Sequence, residues 1–440
     1  MSPAKRAVAL ALVTAALLGA GAPTQAGDVV KRRLGNGVTL IAVPSPWNKV
    51  LAVSVLVDAG SKHDPPGLSG LARVTAELLL SGATTIPRAE IEETVDDRGI
   101  RLGSYTTEDF TEIYVVSTID QFDAAIDVLS ALVTQPAFDG RDLPIVQRRV
   151  VEDQERALND PFAACYARLN EILFEGHPYA VPPSGTKSGV AALTRDHVTR
   201  FYADRYRGGN IVVTAVGDFR EDEAMRKLGA CFAACASGRV PPRGIPLKQP
   251  KEPVSYEFHR DVSRGCVTIG FATPPMGSHD GAAVRVLASV LGEGKAARGR
   301  IRDALPPDDA SSSQAGVLNP EGVEQGRLVL FASTADVDAA AAALGEIIER
   351  LRSERVPDAE LAEAKERLLG QMALSGQRNI ERAGRLGIGE IARLGHDSSD
   401  RLARSIEAVS AEDVRRAAVK YLSNPVTVTL RPGRVSRTQL

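Results

Sequence analysis

In the stretch GLSGLARVTAELLLSGAT (67–84), apolar residues fall at Leu71, Val74, Leu78 and Leu79, the spacing of one helical face. Arg73 and Glu77 sit four apart beside that stripe. Upstream, VLAVSVLVDAG (50–60) is rich in β-branched residues and predicts a strand, and LGNGVTLIAVP places Asn36-Gly37 between two strand-like runs. Downstream, PRAEIEETVDDRG (87–99) predicts a helix with Pro in its first turn and Gly at its end. IRLGSYTTEDFTEIYVVST predicts two strands around a turn at Glu108-Asp109, and two long amphipathic helices follow, over about 119–134 and 141–158. The segment EDEAMRKLGACFAACASG reads as one more helix, with Cys231 and Cys235 one turn apart on it.

The pattern then recurs. VVSTIDQFDAAIDVLSALV carries Ser117, Thr118 and Asp120; FASTADVDAAAAALGEII carries Ser333, Thr334 and Asp336, an offset of 216. LTRDHV ends at Val198 and VSAEDV at Val414, again 216 apart. Each precedes a helix, an aromatic (Tyr206, Tyr421), an Asn and a β run (NIVVTAVGD, NPVTVTL). Two matches at one offset, far apart in the chain, imply a duplicated unit of about 210 residues, much longer than a solenoid repeat. Strands and long helices mix in non-alternating order within each unit, so the expected class is α+β: two homologous domains of mixed sheet packed with helices. Pro, Gly and Lys/Arg crowd ASGRVPPRGIPLKQPKEP between them, the composition of a linker. The expected organisation is a leader over 1–26, an N-terminal domain over 27–240, a linker over 241–254, a C-terminal domain over 255–433 and a tail over 434–440.

The leader follows from Lys5 and Arg6, the apolar run AVALALVTAALLGAGA, and small residues at Thr24 and Ala26. That is the form of a secretory signal, and the run is short for a membrane span. Periplasmic or secreted location is expected, with no membrane attachment after cleavage. Removing Lys5 and Arg6 takes the formal charge from −2 to −4, which gives no footing for nucleic acid as a partner. With 44% apolar and 25% charged residues the chain is an ordinary globular protein, long enough to bury two cores without disulfides. Cys165, Cys231, Cys235 and Cys266 include no C-x-x-C and read as small buried side chains, with any pairing left open.

Hydrolytic zinc sites place ligands one turn apart on a helix and add a third from elsewhere. None of His63, His177, His197, His259, His279 and His396 lies within five residues of another, and no H-E-x-x-H, H-x-x-E-H, G-x-S-x-G or P-loop is present. GEGKAARG (292–299) is Gly-rich without a phosphate-binding spacing.

AGSKHDPPGLSGLARVTAELLLSGAT nonetheless resembles the signature region of the insulinase/pitrilysin-type zinc metallopeptidases, in the branch of processing-peptidase-like subunits. GSYTTEDFTEIY, FEGHPYAVPPSGT, LTRDHVTRFYADRY, NIVVTAVGDF and VLGEGKAARGRIRD resemble later segments of that family, in order, over nearly the whole chain after the leader. The resemblance implies a metallopeptidase clamshell. It also places Arg73 where the family's motif H-x-x-E-H has its first His, Ala76 at the Glu general base, and Glu77 at the second His. The third ligand falls at Asp153, with Glu152 as the near alternative. Arg302 corresponds to a catalysis-assisting Arg, yet Asp309 stands where the family has a Tyr seven residues on.

A guanidinium has no lone pair to give and Ala76 cannot activate water. The resemblance therefore implies a non-catalytic member, with no metal of its own and zinc only in a homologous catalytic subunit that keeps the motif. Arg73 and Glu77 are either a weak exposed pair, or a tie to Asp153 in the old metal position. Peptide substrates of the family add as a strand beside the zinc helix, which points to Gly103, Ser104, Tyr105 and Thr106 here. Gly292 and Gly294 of the Gly-rich loop, with Arg302, are further candidate substrate contacts. The expected function is the non-catalytic subunit of a periplasmic zinc metallopeptidase, lining its substrate chamber. The alternatives are a stand-alone peptide-binding, chaperone-like clamshell and an active hydrolase with another site.

Overall fold

The computed structural model describes residues 28–239, 247–293, 299–305 and 314–433. The expected leader, Gly294, Asp309, the first part of the linker and the tail lie outside the described residues.

The first half runs β1 (Val30–Arg33), β2 (Thr39–Pro44), β3 (Val50–Val57), α1 (Leu71–Leu79), α2 (Arg88–Asp97), β4 (Arg101–Thr106), β5 (Thr111–Thr118), α3 (Phe122–Thr134), α4 (Leu143–Leu158), α5 (Pro161–Leu173), α6 (Lys187–Ala191), α7 (Arg195–Arg205), β6 (Ile211–Gly217) and α8 (Glu221–Phe232). The second runs β7 (Val254–Arg260), β8 (Gly265–Thr273), α9 (Gly281–Leu291), α10 (Arg300–Ala304), β9 (Gln314–Leu318), β10 (Gly326–Thr334), α11 (Val337–Ser353), α12 (Asp358–Ser375), α13 (Asn379–Ile391), α14 (Ser398–Ala408), α15 (Ala411–Tyr421) and β11 (Val426–Pro432). The strand order is β1-β2-β6-β3-β5-β4 in one sheet and β7-β11-β8-β10-β9 in the other. Apart from β1 the two orders coincide, and β2–β6 and β7–β11 are the parallel pairs of otherwise antiparallel sheets.

The duplication extends to single side chains. The Thr194 hydroxyl caps the start of α7 in a capping box with His197, and Ser410 does the same for α15 with Asp413. Each box satisfies two backbone donors that the helix start would otherwise orphan.

One face of each sheet carries its own helices. Val53, Val55 and Val213 pack with Leu71, Ile126 and Val198 in the first core, and Ile269 and Leu330 with Leu287, Leu344 and Val414 in the second. The other face is covered from the opposite half. Cys165, Leu169 and Leu173 of α5 pack on Val329, Val428 and Leu430, while Ala383 and Leu386 of α13 pack on Ile41, Val43 and Val216. With helices on both faces the central strands are buried beyond Val50, so β3 and β6 read as apolar runs interrupted only by Ser54 and Thr214 rather than as alternating ones. Glycine permits the close approach at both crossings: a Cβ on Gly270 would lie 2.6 Å from Leu169, and one on Gly387 2.2 Å from Leu56.

Three details differ from the sequence reading. The boundary near 241–254 divides the repeat, but the packing units interlock across it, because periodicity tells that α5 is buried and not against what. β7 begins at Val254, inside the expected linker. α8 stops at Phe232, so Cys235 is not on the helix; the Asn36 side chain donates to the carbonyls of Phe232, Ala233 and Cys235 and holds the chain in a turn. All four cysteines are free thiols; Cys165, Cys235 and Cys266 are buried, and Cys231 is half-buried.

Candidate functional site

α1 starts at Gly70, whose φ of 94° favours glycine, and the Asp64 carboxylate accepts from the backbone N–H groups of Gly70 (2.7 Å) and Ala72 (2.9 Å). Burial pushes the Asp64 carboxyl up to about 7, against the pull of these backbone bonds. The predicted stripe of Leu71, Val74, Leu78 and Leu79 is buried, and Ala76 is buried with it. Arg73 and Glu77 are left on the side facing α4.

There they form a four-membered ionic chain. Arg73 Nη2 donates to Asp153 Oδ2 at 2.7 Å, and its Nε donates to Glu77 Oε1 at 2.9 Å. Glu77 Oε2 accepts from Arg149 Nη2 at 2.6 Å and Nε at 3.0 Å. The order Asp153–Arg73–Glu77–Arg149 alternates sign and ties α1 to α4. Its middle is sheltered, with the Glu77 and Arg73 side chains 14% and 26% exposed, while Arg149 at one end is 58% exposed. Of the two carboxylates considered for the third position, Asp153 makes the contact and Glu152 is exposed. Arg149 escaped sequence reasoning, although it lies four residues before Asp153 and therefore on the same face of α4.

This residue set does not fit a zinc ion. A guanidinium lies between the two carboxylates, and both Glu77 oxygens already accept from cations. Among the described residues no group of three or more His, Cys, Asp or Glu side chains is arranged to hold a metal.

Beside α1 lies β4, the edge strand of its sheet, carrying Gly103, Ser104, Tyr105 and Thr106. Gly103 sits over Tyr114, whose Oη would be 2.5 Å from a Cβ there, and the Tyr105 ring is exposed. β4 pairs only with β5 among the described residues, so its outer backbone groups are open to an added strand. The other candidates are not gathered here. Gly292 terminates α9 with φ 107°, and its N–H donates to the carbonyls of Ala288 and Ser289, so the helix end accounts for this glycine. Arg302 is exposed on α10, which packs on α9, α11 and β9 in the second half.

A second polar cluster, between the halves, was not foreseen. Buried Lys62 pairs with Asp109 at 2.9 Å and Glu324 at 3.2 Å. Tyr179 Oη donates to Asp109 Oδ1 at 2.6 Å and accepts from the Glu324 N–H, and Val323 N–H donates to Asp109 Oδ2. His177 Nε2 lies 3.3 Å from Glu324 Oε2. Burial pulls the Lys62 ammonium down, but the Asp109 and Glu324 carboxylates outweigh it and hold it above its ordinary value. Burial likewise pushes the Glu324 carboxyl up, and His177 and Lys62 outweigh it and hold it below.

Two homologous mixed sheets, clasped by exchanged helices, with the Arg73/Glu77 helix beside an edge strand, define an α+β clamshell of the metallopeptidase type. The model of the insulinase family (peptidase family M16) matches residues 40–186, and that described as the peptidase M16 inactive domain matches 192–368. An uncharacterized zinc protease of Rickettsia bellii is 20% identical over 405 residues, covering 90% of this chain and 95% of its own. One of Mycobacterium tuberculosis is 25% identical over 398 residues, covering 89% and 90%. The crystal structure of a protease from Helicobacter pylori superposes with a TM-score of 0.83 at 21% identity, covering 92% of this chain and all of that one. The chain belongs to the insulinase-type peptidase family M16. Within it, it is an inactive-type member, with Arg73, Ala76 and Glu77 on the helix that resembles the zinc helix.

Proposed function

We propose that this chain is the non-catalytic subunit of an exported zinc metallopeptidase, paired with a homologue that keeps the zinc motif. It supplies a wall of the substrate chamber and binds peptide along β4, while zinc and water activation belong to the partner. The observation that carries the reading is the ionic chain Asp153–Arg73–Glu77–Arg149 within an otherwise intact family fold. The helix that would hold the metal is tied to its neighbour by a guanidinium, and the peptide-binding edge beside it stays open. Backbone groups bind an added strand, so that edge does not depend on a metal. Location in the periplasm or outside the cell rests on the basic-then-apolar leader ending at Ala26.

The test is affinity purification of the tagged chain from cells with its leader intact. Recovery of a zinc-motif homologue in stoichiometric amount, with peptide hydrolysis only by the pair, supports the proposal. A lone chain that binds peptide without any such homologue favours the stand-alone clamshell. Metal-dependent hydrolysis by the lone chain, abolished by Glu77→Ala, overturns both.

A further inference from the structure

Cys165 and Cys266 stand 101 residues apart in the chain and meet where the halves cross. Cys165 lies on α5, the helix that the first half lays on the second sheet, and Cys266 on β8 of that sheet. Both are fully buried, in the cluster of Leu169, Val329, Val428 and Leu430. The Cys165 thiol donates to the carbonyl of Cys266 itself at 3.5 Å. The two thiols also interact with one another, and this contact, ahead of burial, holds the Cys266 thiol well above its ordinary value.

The pairing is selective. Cys231 Sγ turns instead to Asp127 Oδ1, at 3.7 Å, and burial alone pushes the Cys235 thiol up to about 12. No contact joins either of them to another thiol among the described residues. Packing alone would ask only for two small apolar side chains between α5 and β8. Two thiols in contact, in a chain that begins with the pattern of a secretory leader, have the remaining requirement for a cross-link, an oxidising compartment.

We propose that Cys165 and Cys266 form a disulfide that fastens α5 of the first half to the second sheet. The proposal rests on the exported reading only for the source of the oxidant, and it needs no catalytic partner. The oxidant is a disulfide, small or protein-borne. One cysteine thiolate attacks it, forms a mixed disulfide and releases one thiol; the other cysteine thiolate then displaces the second thiol. The cysteine pair loses two electrons and two protons, and the oxidant takes up both as its two thiols. Both sulfurs are closed off in the folded chain, so the exchange belongs to folding, before α5 closes on β8. Once the bond has formed, the same burial shields it from reductants.

The test refolds the purified, reduced and denatured chain with and without oxidised glutathione, blocks remaining thiols with iodoacetamide under denaturing conditions, and maps the peptides unreduced by mass spectrometry. With glutathione, Cys165 and Cys266 appear in one linked peptide pair, while Cys231 and Cys235 carry the label. The oxidised chain melts roughly 5 °C above the chain refolded without glutathione, and Cys165→Ala/Cys266→Ala shows no such difference. Label on all four cysteines, a glutathione adduct on Cys165 or Cys266 in place of the link, a link through Cys231 or Cys235, or an unchanged melting temperature overturns the proposal. Export is read separately, from cleavage of the leader in cells, and the catalytic partner from co-purification, so the readings fail independently.

Discussion

Replacing Arg73 by Met keeps the hydrocarbon stem of the side chain and removes the charge in the middle of the ionic chain. Among the described residues Asp153 then retains only Arg156, at 3.5 Å, and Glu77 retains Arg149. Two charge-assisted bonds are lost. Such bonds are worth about 1.5–3 kcal/mol when sheltered, and fully exposed ion pairs about 0.2–1 kcal/mol. Glu77 is mostly covered and Asp153 is 37% exposed, so the site falls between these limits. The expected cost is about 1–2 kcal/mol, measured as a lower urea midpoint with an unchanged m value. Arg149→Met, at the wet end, costs less than about 0.5 kcal/mol. A double-mutant cycle of Arg73→Met with Asp153→Asn gives a coupling of at least about 0.5 kcal/mol. A neutral or stabilising Arg73→Met, or a cost no larger than that of Arg149→Met, would refute the claim that the guanidinium ties α1 to α4.

Lys62→Met leaves Asp109 and Glu324 facing each other in a buried junction, and is expected to cost about 3–5 kcal/mol in chemical denaturation. The same cluster sets a pH window. The Lys62 value is raised by folding, so its contribution is full below about 10.4 and is lost as pH rises through its folded value. The Glu324 value is lowered, so its contribution is present above about 4.3 and is lost as pH falls through its folded value. Thermal melts across pH should thus fall at both ends, and Glu324→Gln should remove part of the acid limb. Arg73→His/Ala76→Glu/Glu77→His should give a chain without peptidase activity in a hydrolysis assay, because the short Asp153 side chain still stands at the third ligand position and no Tyr occurs in 304–314.

The repeat was legible because helix starts obey local rules: Thr194 and Ser410 had to cap helices wherever those helices packed. The contact of Arg73 with Glu77 was likewise local, four residues apart on one helix. Its contact with Asp153 came from resemblance to a family that joins those positions, and Arg149 has no counterpart in that comparison. The exchange of α5 and α13 between sheets was not legible, since an apolar stripe records burial and not the surface it meets. Nor was the Lys62 cluster, whose members meet from 47 and 214 residues apart through loops without periodicity.

The central claim is that this chain holds no catalytic zinc and works beside one that does. Zinc content and peptide hydrolysis, measured on the exported chain alone and on its affinity-purified complex, test it most directly. The account predicts no zinc and no turnover for the chain alone, with zinc and activity in the complex equal to the amount of motif-bearing partner. Stoichiometric zinc and turnover in the chain alone would contradict it.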